Sequence, residues 1–392
     1  MRFLFLAPTV DLSGGTGDAT HVGEEVRGLS GLGNQVLLIA GRGGDATTPP
    51  AGVEIHAAGY RRTFDFAGDV VRYIVSTLRT FILACYLARK FRPEIIFERH
   101  AFIDIGPLIA RITNVRSISE LNGLVANESG ELYPRRRRQS GIVSRLESFS
   151  LSGHAGFVCV TDQLARFASG LTSANPSRIL VAGNGVDVNR FTPGVVQPSQ
   201  LNLPEGHYIV FTGELAAWQG LHWLLSSMEF VVKEEPLTRL LIIGDGPELD
   251  TLVRIVHERR LNQNVLFLGR IPHAKVPEYL QVARVCVAPK NPGRVTSPIK
   301  VFEYLASGKP IVVTDTVELA DLIESEGLGE VVKYGDTKGL SVALLKFLQQ
   351  PDISAKVGLR GRKWVESNRS WDRVALDVSE FVRGLVASRF LP

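Results

Sequence analysis

Cysteine is scarce. Cys85, Cys159 and Cys286 are the only three in 392 residues, widely separated and each inside an apolar run. That spacing excludes a disulfide framework, and no histidine–cysteine cluster has the spacing of a zinc site. The three read as buried thiols of a reducing compartment, which points to the cytoplasm. The opening Met-Arg-Phe-Leu-Phe-Leu-Ala-Pro has neither the apolar length nor the small-residue cleavage site of a secretory signal, and reads as a first strand. A charge-free apolar run of membrane length is also lacking. The most apolar helical stretch, Tyr73 to Phe91, is interrupted by Arg79 and Arg89 and is not a clean span. The formal charge of +4 is too small to argue for nucleic acid. Internal repeats and low-complexity segments are absent, so the chain is not a repeat array.

What is present is ordinary globular material, and the length suggests two domains. In the first half, strand Phe3–Ala7, a glycine loop at Gly14-Gly15, a helix from His21 and strand Gln35–Ala40 open a parallel α/β sheet. Glycines there let a backbone approach a ligand closely, although many tight turns look the same. The order is not that of a dinucleotide fingerprint. Further strands are expected at Val53–Ala57, Glu94–Glu98, Ser117–Glu120, Phe157–Thr161 and Ile179–Ala182, with helices at Phe66–Phe91 and near Ile105–Ile112. Prolines 193, 198 and 204 mark 192–206 as an interdomain linker. The alternation then restarts. Strands are expected at Tyr208–Thr212, Arg239–Ile243, Val265–Leu268, Val285–Ala288 and Ile311–Thr314, and a last helix after Ser370.

The most informative stretch is Ser297 to Pro310. Ser297 suits an N-cap, Pro298 the first helical position, and Gly308 with Pro310 the helix end. Ile299, Phe302, Leu305 and Ala306 share an apolar face. Lys300 beside the free N–H groups of a helix start is an anion site, and Glu303 one turn later can accept bonds from the vicinal hydroxyls of a ribose. Phosphate and ribose together describe a nucleotide. A solvated Lys–Glu pair on a surface helix, worth about 0.2–0.5 kcal/mol, has the same spacing. In the first half, two strands end in polar residues, Glu98-Arg99-His100 and Glu120-Leu121-Asn122. Ligands of parallel α/β sheets sit beyond such ends, so these are site candidates, or else loop caps. Arg135, Arg136, Arg137 and Arg138 form a run that is either a solvated face or a contact for an anionic membrane.

The segments NGVDVNRF at Asn184–Phe191, IIGDGPELDTL at Ile242–Leu252, NVLFLGRI at Asn264–Ile271 and SPIKVFEYLASGKPIVVTD at Ser297–Asp315 resemble those of the family 4 retaining glycosyltransferases. The first half resembles them more loosely, in GGTGDATHVGEEVRGLSGLGNQV and SISELNG. The resemblance implies a GT-B fold, an α/β architecture of two Rossmann-like domains facing across a cleft. The acceptor domain would be 1–191 with a returning helix at about 371–392, and the domain binding a nucleotide-diphosphate sugar would be 207–370. It implies a donor site of Gly213, Gly244, Gly246, Arg270, Ser297, Lys300 and Glu303, approached by Gly14 and Gly15 from the other domain. His100, Glu120 and Asn122 would contact sugar or acceptor, and Lys300 would stabilise the leaving group. The acceptor is unidentified and can be lipid-linked. No metal or cofactor is implied, because helix dipoles and basic side chains offset the diphosphate charge.

Three positions depart from the family pattern. Val295 stands where the first acid of a Glu-x7-Glu pair is usual, the second being Glu303. Glu214 and Gln219 occupy the loop that often carries a basic pair. A carboxylate there opposes a diphosphate. The sequence therefore leaves open a nucleotide-sugar epimerase on the same fold, or a non-catalytic glycosyltransferase-like partner.

Overall fold

The structure, a computed structural model, describes residues 1–13, 17–43, 49–59, 66–124, 140–171, 175–292 and 299–388; for 66–70 and 140–143 it describes the helical backbone alone. Two compact units share the chain. One is Met1–Gly185 with the terminal helix Trp371–Ala387, and the other runs from Val186 to Ser370.

Strand β1 (Arg2–Asp11) is apolar and buried from Phe3 to Ala7, as a central parallel strand must be. With β2 (Gln35–Arg42), β3 (Val53–Ala57), β4 (Ile95–Arg99), β5 (Arg116–Leu121), β6 (Gly156–Cys159) and β7 (Ile179–Val181) it forms a parallel sheet in the order β3-β2-β1-β4-β5-β6-β7. The helices of this unit are α1 (Gly17–Gly31), α2 (Phe66–Phe91), α3 (Gly106–Thr113), α4 (Ser140–Leu151) and α5 (Asp162–Leu171). Alternation along β1 divides the core. Phe3 and Phe5 pack with Val22 and Val26 of α1 and with Trp371, Val374 and Val378 of the terminal helix. Leu4 and Leu6 pack with Ala84, Leu87 and Ile109 on the other face. A Cβ at Gly28 would stand 2.7 Å from Ala375 Cβ, so glycine is what lets α1 and the terminal helix meet this closely.

The second unit repeats the plan with β8 (His207–Thr212), β9 (Thr238–Ile243), β10 (Val265–Gly269), β11 (Ala283–Ala288), β12 (Ile311–Thr314) and β13 (Gly329–Val332), in the order β10-β9-β8-β11-β12-β13. Its helices are α6 (Leu221–Glu234), α7 (Leu249–Glu258), α8 (Val276–Gln281), α9 (Ile299–Ala306), α10 (Ala320–Ser325), α11 (Thr337–Gln349) and α12 (Pro351–Asn368). The strand order reverses between β8 and β11, which places a ligand crevice beyond their carboxyl ends.

Two expectations need correction. Residues 192–206 are not a free linker: they belong to the second unit, where Phe191, just before them, and Leu203, among the prolines, are buried in its core. The chain changes unit earlier, between Gly185 and Val186. In addition, Arg79 and Arg89 do not keep the Tyr73–Phe91 stretch from qualifying as a span, although the helix itself runs over Phe66–Phe91 as expected. The helix is continuous, and Val71–Phe91 is long and apolar enough to cross a membrane by length and composition, with 28% of that stretch buried. It nevertheless packs on β1 and β2 as a sheet-covering helix.

Candidate active site

In the second unit the loops after β8, β9 and β11 interlock. Gly213 N–H donates to Ile243 O (2.9 Å), Gly244 N–H to Gly269 O (2.9 Å) and Leu215 N–H to Asp245 O (3.0 Å). Gly213 (φ 139°) and Gly244 (φ 141°) hold backbone angles that side chains disfavour. A Cβ on Gly244 would stand 1.9 Å from Gly213 O, and one on Gly246 2.6 Å from Leu215 backbone. These two glycines thus serve backbone-to-backbone packing of strand ends. Asn291, after β11, donates its backbone N–H to Trp218 O (2.8 Å) and its amide to Ala217 O (2.8 Å), tying the β11 loop to the β8 loop.

Lys300, in the first turn of α9, reaches back to this floor. Its Nζ donates to Gln219 Oε1 (2.6 Å), lies 4.1 Å from the centre of the Phe211 ring, and would touch a Cβ on Gly213 at 2.9 Å. No carboxylate lies within ion-pair distance of it among the described residues. Burial pushes its ammonium down to about 7, against the pull of Glu303. Gln219, which stands where a cation is expected, therefore holds the lysine. Glu214 is exposed.

Glu303, one turn further on, is buried and accepts a bond from His273 Nε2 at 2.6 Å. Arg190 Nη1 lies 3.4 Å from His273 Nδ1, and a guanidinium can only donate. His273 Nδ1 is thus the acceptor, and its Nε2–H faces Glu303. Lys290 is committed elsewhere, to Glu318 Oε1 (2.6 Å) and Thr316 O (3.1 Å). Arg270 is exposed after β10. Gly14, Gly15, Arg135–Arg138, Val295 and Ser297 lie outside the described residues.

The candidates of the first unit are placed differently from expectation. His100 is not open to a ligand: Nδ1 meets Asp104 at 2.7 Å and Nε2 meets Glu147 at 2.9 Å, with the side chain 1% exposed. Asp104 also takes Ser119 Oγ (2.6 Å) and His154 Nε2 (3.1 Å). Burial disfavours the His100 cation, but Asp104 and Glu147 override it and lift the imidazole to about 10. Glu120 is equally enclosed, with His21 Nε2 at 2.5 Å and Arg99 Nη1 at 3.4 Å. Burial would raise its carboxyl; His21 and Arg99 hold it down to about 2, and Asn122 lies beside it. The same pairing lifts His21 to about 9 despite burial. Glu25, desolvated and beside Glu120, rises to about 7. His21 Nδ1 also bonds Asn184 Oδ1.

Ligand atoms of His21, Glu25 and Glu120, and those of Glu98, Asp104 and His154, gather within 4.8 Å of one another, a spacing that could hold a metal. In each set the histidine bonds one carboxylate, His21 with Glu120 and His154 with Asp104, and lies within ion-pair distance of the other. They act as buried ion-pair networks that fix β4, β5 and the start of α1. Sequence reasoning passed over His21, Glu25, Asn184 and His273. The signal for the first pair was a His and a Glu four apart just after a glycine loop.

Two parallel Rossmann-like units, with a cation and a carboxylate one turn apart at the switch point of the second, define a GT-B glycosyltransferase fold. The family profile described as Glycosyltransferase Family 4 matches residues 15–190, and the one described as Glycosyl transferases group 1 matches 206–350. The chain belongs to the family 4 glycosyltransferases. It is similar to a GDP-mannose-dependent alpha-(1-6)-phosphatidylinositol monomannoside mannosyltransferase of Mycobacterium tuberculosis, 25% identical over 57% of this chain and 60% of that protein. The chain thus matches about three fifths of that relative's length. Glycogen synthase of the same organism is 22% identical over 91% of this chain and 88% of its own. Among solved structures, sucrose-phosphate synthase from Thermosynechococcus elongatus superposes with a TM-score of 0.79 at 17% identity, over 99% of this chain and all of that one. Anabaena HepE in complex with UDP and glucose gives 0.71 at 15%, over 98% and 99%.

Proposed function

We propose that the protein transfers a sugar from a nucleotide-diphosphate sugar to an acceptor hydroxyl, with retention at the anomeric carbon. The observation that carries this reading is Lys300: a half-buried ammonium at the sheet's switch point, held by an amide and a ring and not by a carboxylate. Such a cation is stabilised most by an arriving anion. Glu303 would accept the ribose hydroxyls, already oriented by His273. As the acceptor oxygen bonds to the anomeric carbon, the bond from that carbon to the diphosphate breaks. The nucleoside diphosphate leaves with the bonding pair, Lys300 offsets its charge, and the acceptor proton passes to the leaving phosphate oxygen. The names of the similar proteins, GDP-mannose-dependent in one case and UDP-bound in another, support a nucleotide donor. A lipid-linked acceptor, and contact with the cytoplasmic membrane's inner face through Arg135–Arg138, complete the proposal.

The test is a panel of GDP- and UDP-sugars screened by thermal shift, followed by kinetics with the sugar that stabilises the chain. Lys300→Ala is expected to lower turnover by about 10²–10³ while folding stability changes by about 1 kcal/mol or less. Glu303→Gln should weaken donor binding by about 0.5–2 kcal/mol, because a neutral acceptor replaces a charged one. Wild-type turnover in the lysine variant at saturating donor would refute the assignment.

A further inference from the structure

Helix α2 is apolar on its outer face as well as on the face that covers the sheet. Its inward stripe is Ser76, Thr80, Ala84, Leu87 and Ala88, all buried and mostly small. Its outward stripe is Val71, Ile74, Val75, Leu78, Ile82 and Tyr86, between 42% and 68% exposed. At 100° per residue these six fall within about 120° of one another on the helix surface. The stripe is about 22 Å long. A soluble helix places its large apolar residues on the core side; here Phe81, Leu83, Leu87 and Phe91 do so, yet six more face solvent.

Neighbouring α3 extends the patch. Ile103 exchanges hydrogen bonds with Tyr73 (2.8 and 3.1 Å), and Ile103, Leu108 and Ile112 are each at least 42% exposed. Charge decides the occupant. Neither Val71–Phe91 nor α3 contains an aspartate or a glutamate. Arg79, Arg89, Lys90 and Arg92 on and just after α2, and Arg111 on α3, are exposed. Arg79 and Lys90 stand on one flank of the stripe, where long side chains can reach phosphate while the stripe enters the acyl boundary. Acids occur only beyond the stripe's ends, at Asp69 and Glu94, and an apolar stripe flanked by cations along its length fits an anionic bilayer. A second copy of the chain would set the same cations against each other.

We propose that the outer face of α2, continued by α3, seats the first unit in the plane of an anionic membrane, with α2 lying on the bilayer and not spanning it. This deepens the membrane contact proposed for Arg135–Arg138, a run that enters α4 directly in the sequence. Binding would have two separable parts, one electrostatic and one apolar.

Flotation of the full chain with phosphatidylcholine vesicles, with and without phosphatidylglycerol, tests this. Four proteins are compared: wild type, Leu78→Asp/Ile82→Asp, Arg79→Gln/Lys90→Gln, and Arg135–138→Gln. Both α2 pairs are exposed, and an unchanged thermal shift with nucleoside diphosphate confirms folding. Wild type should float with anionic vesicles. The aspartate pair should lose about tenfold or more of the bound fraction at low and high salt. The Arg79/Lys90 variant should lose only the part that salt also removes. Flotation of the aspartate pair equal to wild type would overturn the α2 seat and leave the arginine run standing. Loss in the Arg135–138 variant alone would do the same. A wild type that stays in solution would overturn both. A wild-type dimer by light scattering that the aspartate pair dissociates would make the face a self-association surface, and would overturn the proposal too.

Discussion

Lys300 carries the most specific consequence at the scale of a single side chain. Burial holds its ammonium at about 7, so the free protein is half charged near neutrality. A diphosphate favours the ammonium, so the bound value must lie above the free one. Between the two, the protein must take up a proton as the nucleotide binds. Below about 7 the lysine is already charged and no uptake occurs. Donor affinity should therefore fall as pH rises above 7, by up to about tenfold per unit. Titration calorimetry near pH 8 in two buffers of different ionisation enthalpy should report uptake approaching one proton. Lys300→Ala should abolish it. A binding heat that does not depend on the buffer in the wild type would show that Lys300 does not face the phosphate. The buried histidines behave differently. His21 and His100 are lifted by carboxylates that already touch them, so they stay charged through neutrality and hold strand ends together.

At the scale of elements, the proposed donor floor is a set of strand ends that only glycine lets close. Gly244→Ala would drive a methyl group into Gly213 O, a rigid backbone atom, at a φ that alanine rarely adopts. A loss of about 2–3 kcal/mol is expected, with weaker nucleotide binding because Gly213 lies under Lys300. A melting curve and donor affinity both equal to wild type would mean that this packing does not shape the site. These elements were largely legible in the sequence. Parallel strands buried on both faces read as apolar runs, and Ser297–Pro310 announced its helix through Gly308 and Pro310. The region after Asp315 was not legible: α10, β13, α11 and α12 lie there with no motif to anchor them. The site was half legible. Lys300 and Glu303 lie one turn apart on α9, so local spacing was enough to propose them. His21 meets Glu120 and Asn184 across 99 and 163 residues, and His273 meets Glu303 across 30; no local pattern encodes such pairs. His100 misled for the complementary reason, because a polar strand end looks the same whether it faces a ligand or a neighbouring carboxylate.

For the whole molecule, the division of the chain predicts what its pieces can do. The first unit is discontinuous: its core is completed by Trp371, Val374, Ala375, Val378, Val382 and Leu385, which follow the entire second unit in sequence. A Cβ on Gly185 would stand 2.8 Å from the Trp371 ring, so the terminal helix also packs on the last residue before the chain leaves. At about 1.5–3 kcal/mol for each fully buried large side chain, omitting that helix removes roughly 10 kcal/mol, comparable to a domain's whole stability. A fragment of residues 1–185 should therefore fail to fold alone and should recover on joining residues 371–392. Among the described residues the second unit is one run of chain, and it contains Gly213, Gln219, His273, Lys300 and Glu303 together with its sheet. A fragment of residues 186–370 should unfold cooperatively and bind nucleoside diphosphate within about tenfold of the full chain, since Gln219, His273, Lys300 and Glu303 all lie inside it. Circular dichroism melts and titration calorimetry on both fragments decide the matter. A folded 186–370 fragment that binds no nucleotide would place essential donor contacts in the first unit, and an unfolded one would show that the two units are not thermodynamically separate.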